Sequence, residues 1–244
     1  MASALAKVQQ DRDEEASYRE GETAHFAVKY SGGAAPDLAR GILRTLEEHY
    51  RDLESQLDFS PPEPIAVILY TNQAFADITR APGWAGALND GRIRIPVQGL
   101  TSVTGELSHI LKHELTHSFI TQKTHGRAPT WLQEGVAQFM EGRRSRDAAA
   151  ALLDAYDHNS APPFAQMEGS WMGFSGESAA FAYAWALAAV EGIVYGGGMS
   201  DISRLLDHVA TDTSTEAALI ASLRLDYAEL SHQTAAFLRR NYAR

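Results

Sequence analysis

His113-Glu114-Leu115-Thr116-His117 lies near the middle of the chain, inside a stretch whose apolar spacing predicts a helix near residues 102–122. Leu107, Leu111, Leu115 and Phe119 recur every fourth residue and form one stripe of that helix. His109, His113 and His117 form another. Two histidines four residues apart share a helical face and are near enough to grip one metal ion. Neutral imidazole suits zinc. Glu114 projects beside the pair, where a carboxylate can take a proton from a metal-activated water instead of binding the metal. A stripe of three histidines is also compatible with a plain solvated face, so a third ligand decides between the two readings.

Downstream, Thr130-Trp131-Leu132-Gln133-Glu134-Gly135-Val136-Ala137-Gln138-Phe139-Met140-Glu141 reads as a second helix. Thr130 with Gln133 three residues on has the form of a capping box, which starts the helix at Trp131 and turns Val136, Phe139 and Met140 to the core. Glu134 then sits in the first turn, with sixteen residues between it and His117, enough chain to fold the second helix back on the first. Two histidines and a carboxylate leave a fourth position for water, the open coordination of a catalytic zinc site. Glu141, one helical repeat later, and His125, in the connecting loop, are alternative ligands. A first-turn glutamate is also favoured by the helix dipole alone. His109 reads as a supporting or surface histidine, and Trp131 as a packing anchor. The longer motif with a glycine and a third histidine is excluded, because Ile120 and Lys123 occupy those positions.

Working outward, Phe26, Val28 and Tyr30 alternate with polar neighbours as a half-buried strand. Leu38, Ile42, Leu46, Tyr50, Leu53 and Leu57 give an amphipathic helix from Pro36 to Leu57. Ile65-Ala66-Val67-Ile68-Leu69-Tyr70 is apolar throughout, as in a buried central strand. Asn89-Asp90-Gly91 is a hairpin turn leading into Arg92-Ile93-Arg94-Ile95, and Pro96 puts that strand at or near a sheet edge. Further helices are predicted near 130–142, 144–157, 178–196, 200–210, 214–222 and 226–241, with a long surface loop over 159–177. The expected fold is α+β: a small mixed N-terminal sheet with helices, an active-site helix, and a mainly helical C-terminal half. Residues 1–22 read as a charged lead-in or linker. Residues 23–244 read as a single catalytic domain, in which 23–142 carry the sheet and ligand helices and 143–244 a helical subdomain.

Composition narrows the function. The chain has 244 residues, 21 Lys+Arg against 31 Asp+Glu for a net charge of −10, and no cysteine. A cysteine-ligated zinc, an iron–sulfur cluster, a thiol nucleophile and a disulfide scaffold are therefore excluded, and the redox compartment is left open. The acidic balance argues against nucleic acid as a partner. No uncharged apolar run of membrane-spanning length stands out, and residues 1–22 lack the apolar core of a signal peptide.

The order of segments resembles the gluzincin metallopeptidases, and most closely the small peptidase-MA-like domains related to thermolysin-like enzymes and zinc aminopeptidases. The resemblance is carried by Ala27-Val28-Lys29-Tyr30, the long helix, Ile65–Tyr70, Gly91-Arg92-Ile93-Arg94-Ile95-Pro96, His113–His117 and Trp131–Ala137, and it covers roughly residues 24–240. It implies a zincin-like fold and one zinc ion per chain, with His113, His117 and Glu134 as ligands and Glu114 as general base. It selects Glu134 over Glu141 and His125. Phe181-Ala182-Tyr183-Ala184-Trp185 resembles the helix segment where related enzymes carry a tyrosine beside the metal. Tyr183 is therefore the candidate catalytic donor to the oxyanion, with Tyr195 and His208 in reserve.

Two departures stand out. Gln138 replaces the aspartate that orients a zinc histidine in thermolysin-like relatives. Ala85-Gly86-Ala87-Leu88-Asn89 lacks the glutamate by which aminopeptidases hold a free amino terminus, which argues against an aminopeptidase and for an endopeptidase or an orphan hydrolase. The implied partners are a peptide or protein substrate, laid against the Arg92–Pro96 strand, and flanking tetratricopeptide-type helices in a longer precursor. The alternative is an idle or self-inhibited zinc-containing domain that binds peptides or a partner without turnover.

Overall fold

The amphipathic period of residues 36–57 becomes a helix of 22 residues, and the apolar run at 65–70 becomes the strand that follows it. The computed structural model describes residues 19–30, 36–70, 88–89, 92–97, 100–211 and 214–243. These divide into two compact units, and the division runs through two helices, after Asp52 in one and after Ser118 in the other.

The first unit holds a five-stranded mixed sheet of order β1-β2-β3-β5-β4, with β1 at Arg19–Glu22, β2 at Phe26–Tyr30, β3 at Ile65–Tyr70, β4 at Leu88–Asn89 and β5 at Ile93–Pro96. The three inner strands are parallel, with Val28 opposite Val67 and Val67 opposite Ile93. β1 and β4 pair antiparallel at the two flanks. Parallel neighbours need a crossover, and helix α1 (Pro36–Leu57) supplies it between β2 and β3. Its stripe Leu38, Ile42, Leu46 and Tyr50 is buried, as are Phe26, Val28, Val67, Leu69, Ile93 and Ile95.

The sheet differs from the sequence reading in its details. The charged lead-in is drawn into the sheet, because residues 19–22 form β1 in register with β2; an edge strand pairs on one side only and tolerates polar composition. β5 lies near the edge, as Pro96 suggests, but one strand in from it, since Asn89 pairs with Ile93 and Leu88 with Arg94. Both edges of β5 are therefore paired. Arg94 is only 2% exposed, its guanidinium donating to the Tyr70 hydroxyl and lying 5.7 Å from that ring's centroid.

The second unit is helical. It takes the end of α1, where Leu53 and Leu57 are fully buried and the Leu57 carbonyl accepts from Ser203 Oγ at 2.7 Å. It also takes the end of α2 (Gly105–Lys123), then α3 (Thr130–Met140), α4 (Ala149–Asp157), α5 (Gly176–Gly197), α6 (Met199–Thr211), α7 (Thr215–Leu223) and α8 (Tyr227–Asn241). Ser175, Ser214 and Asp226 cap α5, α7 and α8 by accepting from the backbone N–H three residues on.

Among the described residues, α5 is long and apolar enough by composition to cross a bilayer, yet Ala182 and Trp185–Glu191 are buried within the unit. It packs on α3, α6 and α8. Its one interior charge, Glu191, accepts from the Ser145 backbone N–H and the Tyr242 hydroxyl, both at 2.9 Å. Burial, with Glu191 as acceptor, raises the Tyr242 hydroxyl above its ordinary pKa. The segment 159–177 is not a plain surface loop. Phe164 and Met167, in a short 3-10 turn, are fully buried, and Trp171 nearly so.

Candidate metal centre

Helix α2 begins where Thr104 Oγ1 accepts from the Leu107 N–H at 3.1 Å. Its apolar stripe Leu107, Leu111, Leu115 and Phe119 is buried as the spacing predicts. Within the first unit its early turns are clamped to α1: His49 Nε2 meets the Ser108 carbonyl at 3.1 Å, and Lys112 pairs with Asp52 at 2.7 Å. Burial, aided by the Lys112 charge, lowers the pKa of His49 and favours its neutral form. The helix thus presents a fixed face. His113 and His117 lie on it half-buried, and His109 is exposed.

The two Nε2 atoms of His113 and His117 are 3.1 Å apart, with the rings nearly perpendicular at 78°. A tetrahedral zinc with Zn–N bonds of ~2.0–2.1 Å holds two ligand nitrogens ~3.3 Å apart, so this spacing already suits the ion. Glu134 supplies the third group. The ligand atoms of His113, His117 and Glu134 all lie within 4.8 Å of one another, the one such trio among the described residues. These three residues can hold a metal ion. The donor set of two imidazoles and a carboxylate fits zinc. His125, exposed in the turn after α2, and Glu141, buried beside Arg143 Nε at 2.6 Å, stand outside the trio.

Glu134 is placed by α3, whose start differs from the expected capping box. The helix begins at Thr130, with Pro129 at the N-cap and no side-chain cap. The Thr130 N–H instead donates to the Glu168 carbonyl at 2.9 Å, and Gln133 Nε2 to the Ala128 carbonyl at 2.8 Å. Trp131, fully buried against Phe164 at 5.0 Å and Tyr227 at 6.4 Å, fixes the rotation of this turn. Val136 and Met140 are buried as predicted, while Phe139 is half-buried with the Arg144 guanidinium 4.4 Å from its ring centroid. Glu114 is buried, at 8% exposure.

Tyr183 is half-buried on α5, 5.0 Å edge-on to Trp171. Of the reserve residues, Tyr195 is exposed near the end of α5 and His208 half-buried on α6.

Sequence reasoning missed the role the structure gives Gln138. It is buried, and its Nε2 donates to two backbone carbonyls at once, Glu134 at 3.1 Å and Tyr183 at 3.0 Å. One amide therefore ties the backbone of the glutamate in the trio to that of the tyrosine on α5. Gln138→Leu removes this tie and is expected to cost about 1 kcal/mol. A thermal melt should show a Tm about 2–4 °C lower for a chain of this length.

A family model described as the Peptidase MA superfamily matches residues 51–240. Among solved structures, the chain is similar to a mutant M1 zinc metallopeptidase from Deinococcus radiodurans. The identity is 18% and the TM-score 0.50, over 91% of this chain and 51% of that one. The same mutant bound to a Tyr-Ser-Ala substrate is matched at 19% identity, with a TM-score of 0.50 and the same coverage. None of the curated proteins compared matches the chain. The chain thus spans about half the length of those enzymes, coverage being 51% in both cases. The likeness establishes the fold, the α+β zincin-like arrangement expected from the sequence.

Proposed function

We propose, on the premise that the chain belongs to the Peptidase MA superfamily, that it is a zinc-dependent endopeptidase. The observation that carries this reading is the convergence of His113, His117 and Glu134, with the buried carboxylate of Glu114 next to the first histidine. Bound zinc would acidify a water molecule and polarise the substrate carbonyl. Glu114 takes the proton from the attacking water and passes it to the leaving amine. Its burial keeps competing water away from the carboxylate and strengthens its electrostatic interactions. The Tyr183 hydroxyl donates to the developing oxyanion, on the tie that Gln138 makes between its backbone and that of Glu134. His113, His117 and Glu134 are half-buried, which leaves the site open to a peptide.

The endopeptidase reading follows from the segment Ala85–Asn89, which carries no glutamate to hold a free amino terminus. Residues 85–87 lie outside the described residues, and Leu88–Asn89 form β4. Because β4 covers β5 on one side, an extended substrate that augments the sheet would add to β4 rather than to the Arg92–Pro96 strand. In this reading residues 23–244 act as one catalytic domain and the lead-in, beyond its β1 residues, joins it to helical-repeat neighbours.

The test pairs metal analysis with a peptide-library cleavage profile. The purified chain is expected to carry about one zinc ion, to lose cleavage on chelation and to recover it on zinc addition. Cleavage untouched by a chelator, or a chain that binds no zinc on reconstitution, overturns the reading.

A further inference from the structure

Met172 and Phe174 are 68% and 37% exposed, two of the four large hydrophobic side chains exposed among the described residues. Both lie on one short segment, Glu168–Ser175, between the 3-10 turn and α5. Isolated exposed apolar side chains need no explanation, but two on the tip of a firmly anchored loop do.

The anchoring is specific. At its start, the Glu168 carbonyl accepts from the Thr130 N–H, the first residue of the helix that carries Glu134. In its middle, Trp171 is 7% exposed, donates from Nε1 to the Met167 carbonyl at 3.1 Å and presses edge-on against Tyr183. Phe174 stacks on Trp171, with centroids 6.1 Å apart and planes 11° from parallel, and its N–H closes a turn to the Trp171 carbonyl at 2.9 Å. At its end, Ser175 caps α5, accepting from the Ser178 N–H at 3.2 Å. Trp171, which nothing in the sequence reading singled out, thus joins the candidate oxyanion donor to the apolar tip. The loop is held to the glutamate helix at one end and to the tyrosine helix at the other.

We infer that Met172 and Phe174 form a specificity-determining wall, taking an apolar or aromatic side chain of a peptide substrate beside Tyr183. This rests on the peptidase reading above and names the substrate class for it. A thioether and an aromatic face on an ordered loop offer a recognition surface with little ordering cost: Met adapts to the shape of an apolar group, and Phe174 is pre-set by its stack on Trp171. A pocket of this kind discriminates by about 10–200-fold for modest changes in apolar size.

The experiment compares wild type with Met172→Ser/Phe174→Ser and Met172→Leu/Phe174→Leu on peptides that differ only in having Phe, Leu, Ser or Asp flanking the scissile bond. Ile220→Ser, on α7 and 48% exposed, serves as the surface control. The serine pair is expected to lower the Phe-over-Ser ratio of kcat/KM at least tenfold, through KM. The leucine pair should keep the ratio within about threefold and Ile220→Ser should leave it where it is. An unchanged ratio in an active serine pair overturns the inference.

Binding is read in parallel, by Trp fluorescence, on Glu114→Gln forms of the same proteins, so the result does not depend on turnover. If wild type cleaves nothing, the peptidase reading fails. The wall then stands if Phe-containing peptides bind the Glu114→Gln protein at least tenfold tighter than Ser-containing ones and the serine pair abolishes that preference. It falls if no such preference exists.

Discussion

Glu114→Gln is expected to lower kcat and kcat/KM for peptide cleavage together, by about 10³-fold, in a protein that stays folded and keeps its zinc. General-base catalysis of this type contributes typically 10²–10⁴-fold, and three decades correspond to about 4 kcal/mol of transition-state stabilisation. Glutamine matches glutamate in size, which matters at a position only 8% exposed, and it cannot take a proton from water. The trio that can hold the metal, His113, His117 and Glu134, is untouched by the change. Because proton transfer occurs in the transition state and not on substrate binding, kcat should fall with KM little altered. Single-turnover kinetics with metal analysis on the same sample checks all of this. Cleavage within about threefold of wild type would remove Glu114 from the mechanism, whereas loss of zinc along with activity would make it a support for the metal rather than the base.

What the sequence makes legible is what short-range chemistry encodes. The four-residue spacing in α2 gives both the buried Leu107–Phe119 stripe and the paired histidines, since one helical period sets both. The same period gives α1 and the C-terminal helices to within a few residues of their observed ends. What is not legible depends on partners distant in sequence. β1 is composed like a solvated linker and is a strand only because β2 offers it an edge. Thr130 looks like a cap, yet the donor it would have satisfied is irrelevant once Pro129 takes the N-cap position and the Glu168 carbonyl, from a loop far along the chain, receives the Thr130 N–H. The loop 159–177 has the glycine, serine and proline of a surface connection, but its aromatic and thioether residues Phe164, Met167 and Trp171 are core once α3, α5 and α8 close around them. Arg94 alternates with isoleucines as an outward residue would, yet it is buried, with its guanidinium donating to the Tyr70 hydroxyl from the neighbouring strand. Gln138 is polar in a helix and gave no local sign that its amide would bridge Glu134 and Tyr183.

Gly135→Ala is expected to destabilise the protein, although helix propensity alone predicts the opposite. In an exposed helix interior alanine is better than glycine by ~1 kcal/mol. Here a Cβ on Gly135 would fall 2.6 Å from the Ala186 carbonyl oxygen, 2.8 Å from Val190 Cγ2 and 2.9 Å from the Ala186 carbonyl carbon. Val190 can turn; a backbone carbonyl in the middle of α5 cannot, and the helix around it is packed with the fully buried Ala182, Ala186 and Ala188. The two helices approach this closely only because position 135 has no side chain, so α3 must shift away from α5 to admit one. Overpacking of this kind costs ~1–3 kcal/mol or more, which exceeds the propensity gain at all but its lower limit. The expected net effect is a Tm about 3–8 °C lower. Gly135 follows Glu134 directly, so the same shift moves the carboxylate relative to the histidines of α2, and zinc affinity should fall at least tenfold. Melting curves with and without zinc separate the two effects: strain between α3 and α5 lowers the Tm of both forms, and a displaced Glu134 narrows the gap between them. A variant that melts higher than wild type in both forms would mean that the helices are not in contact at this glycine.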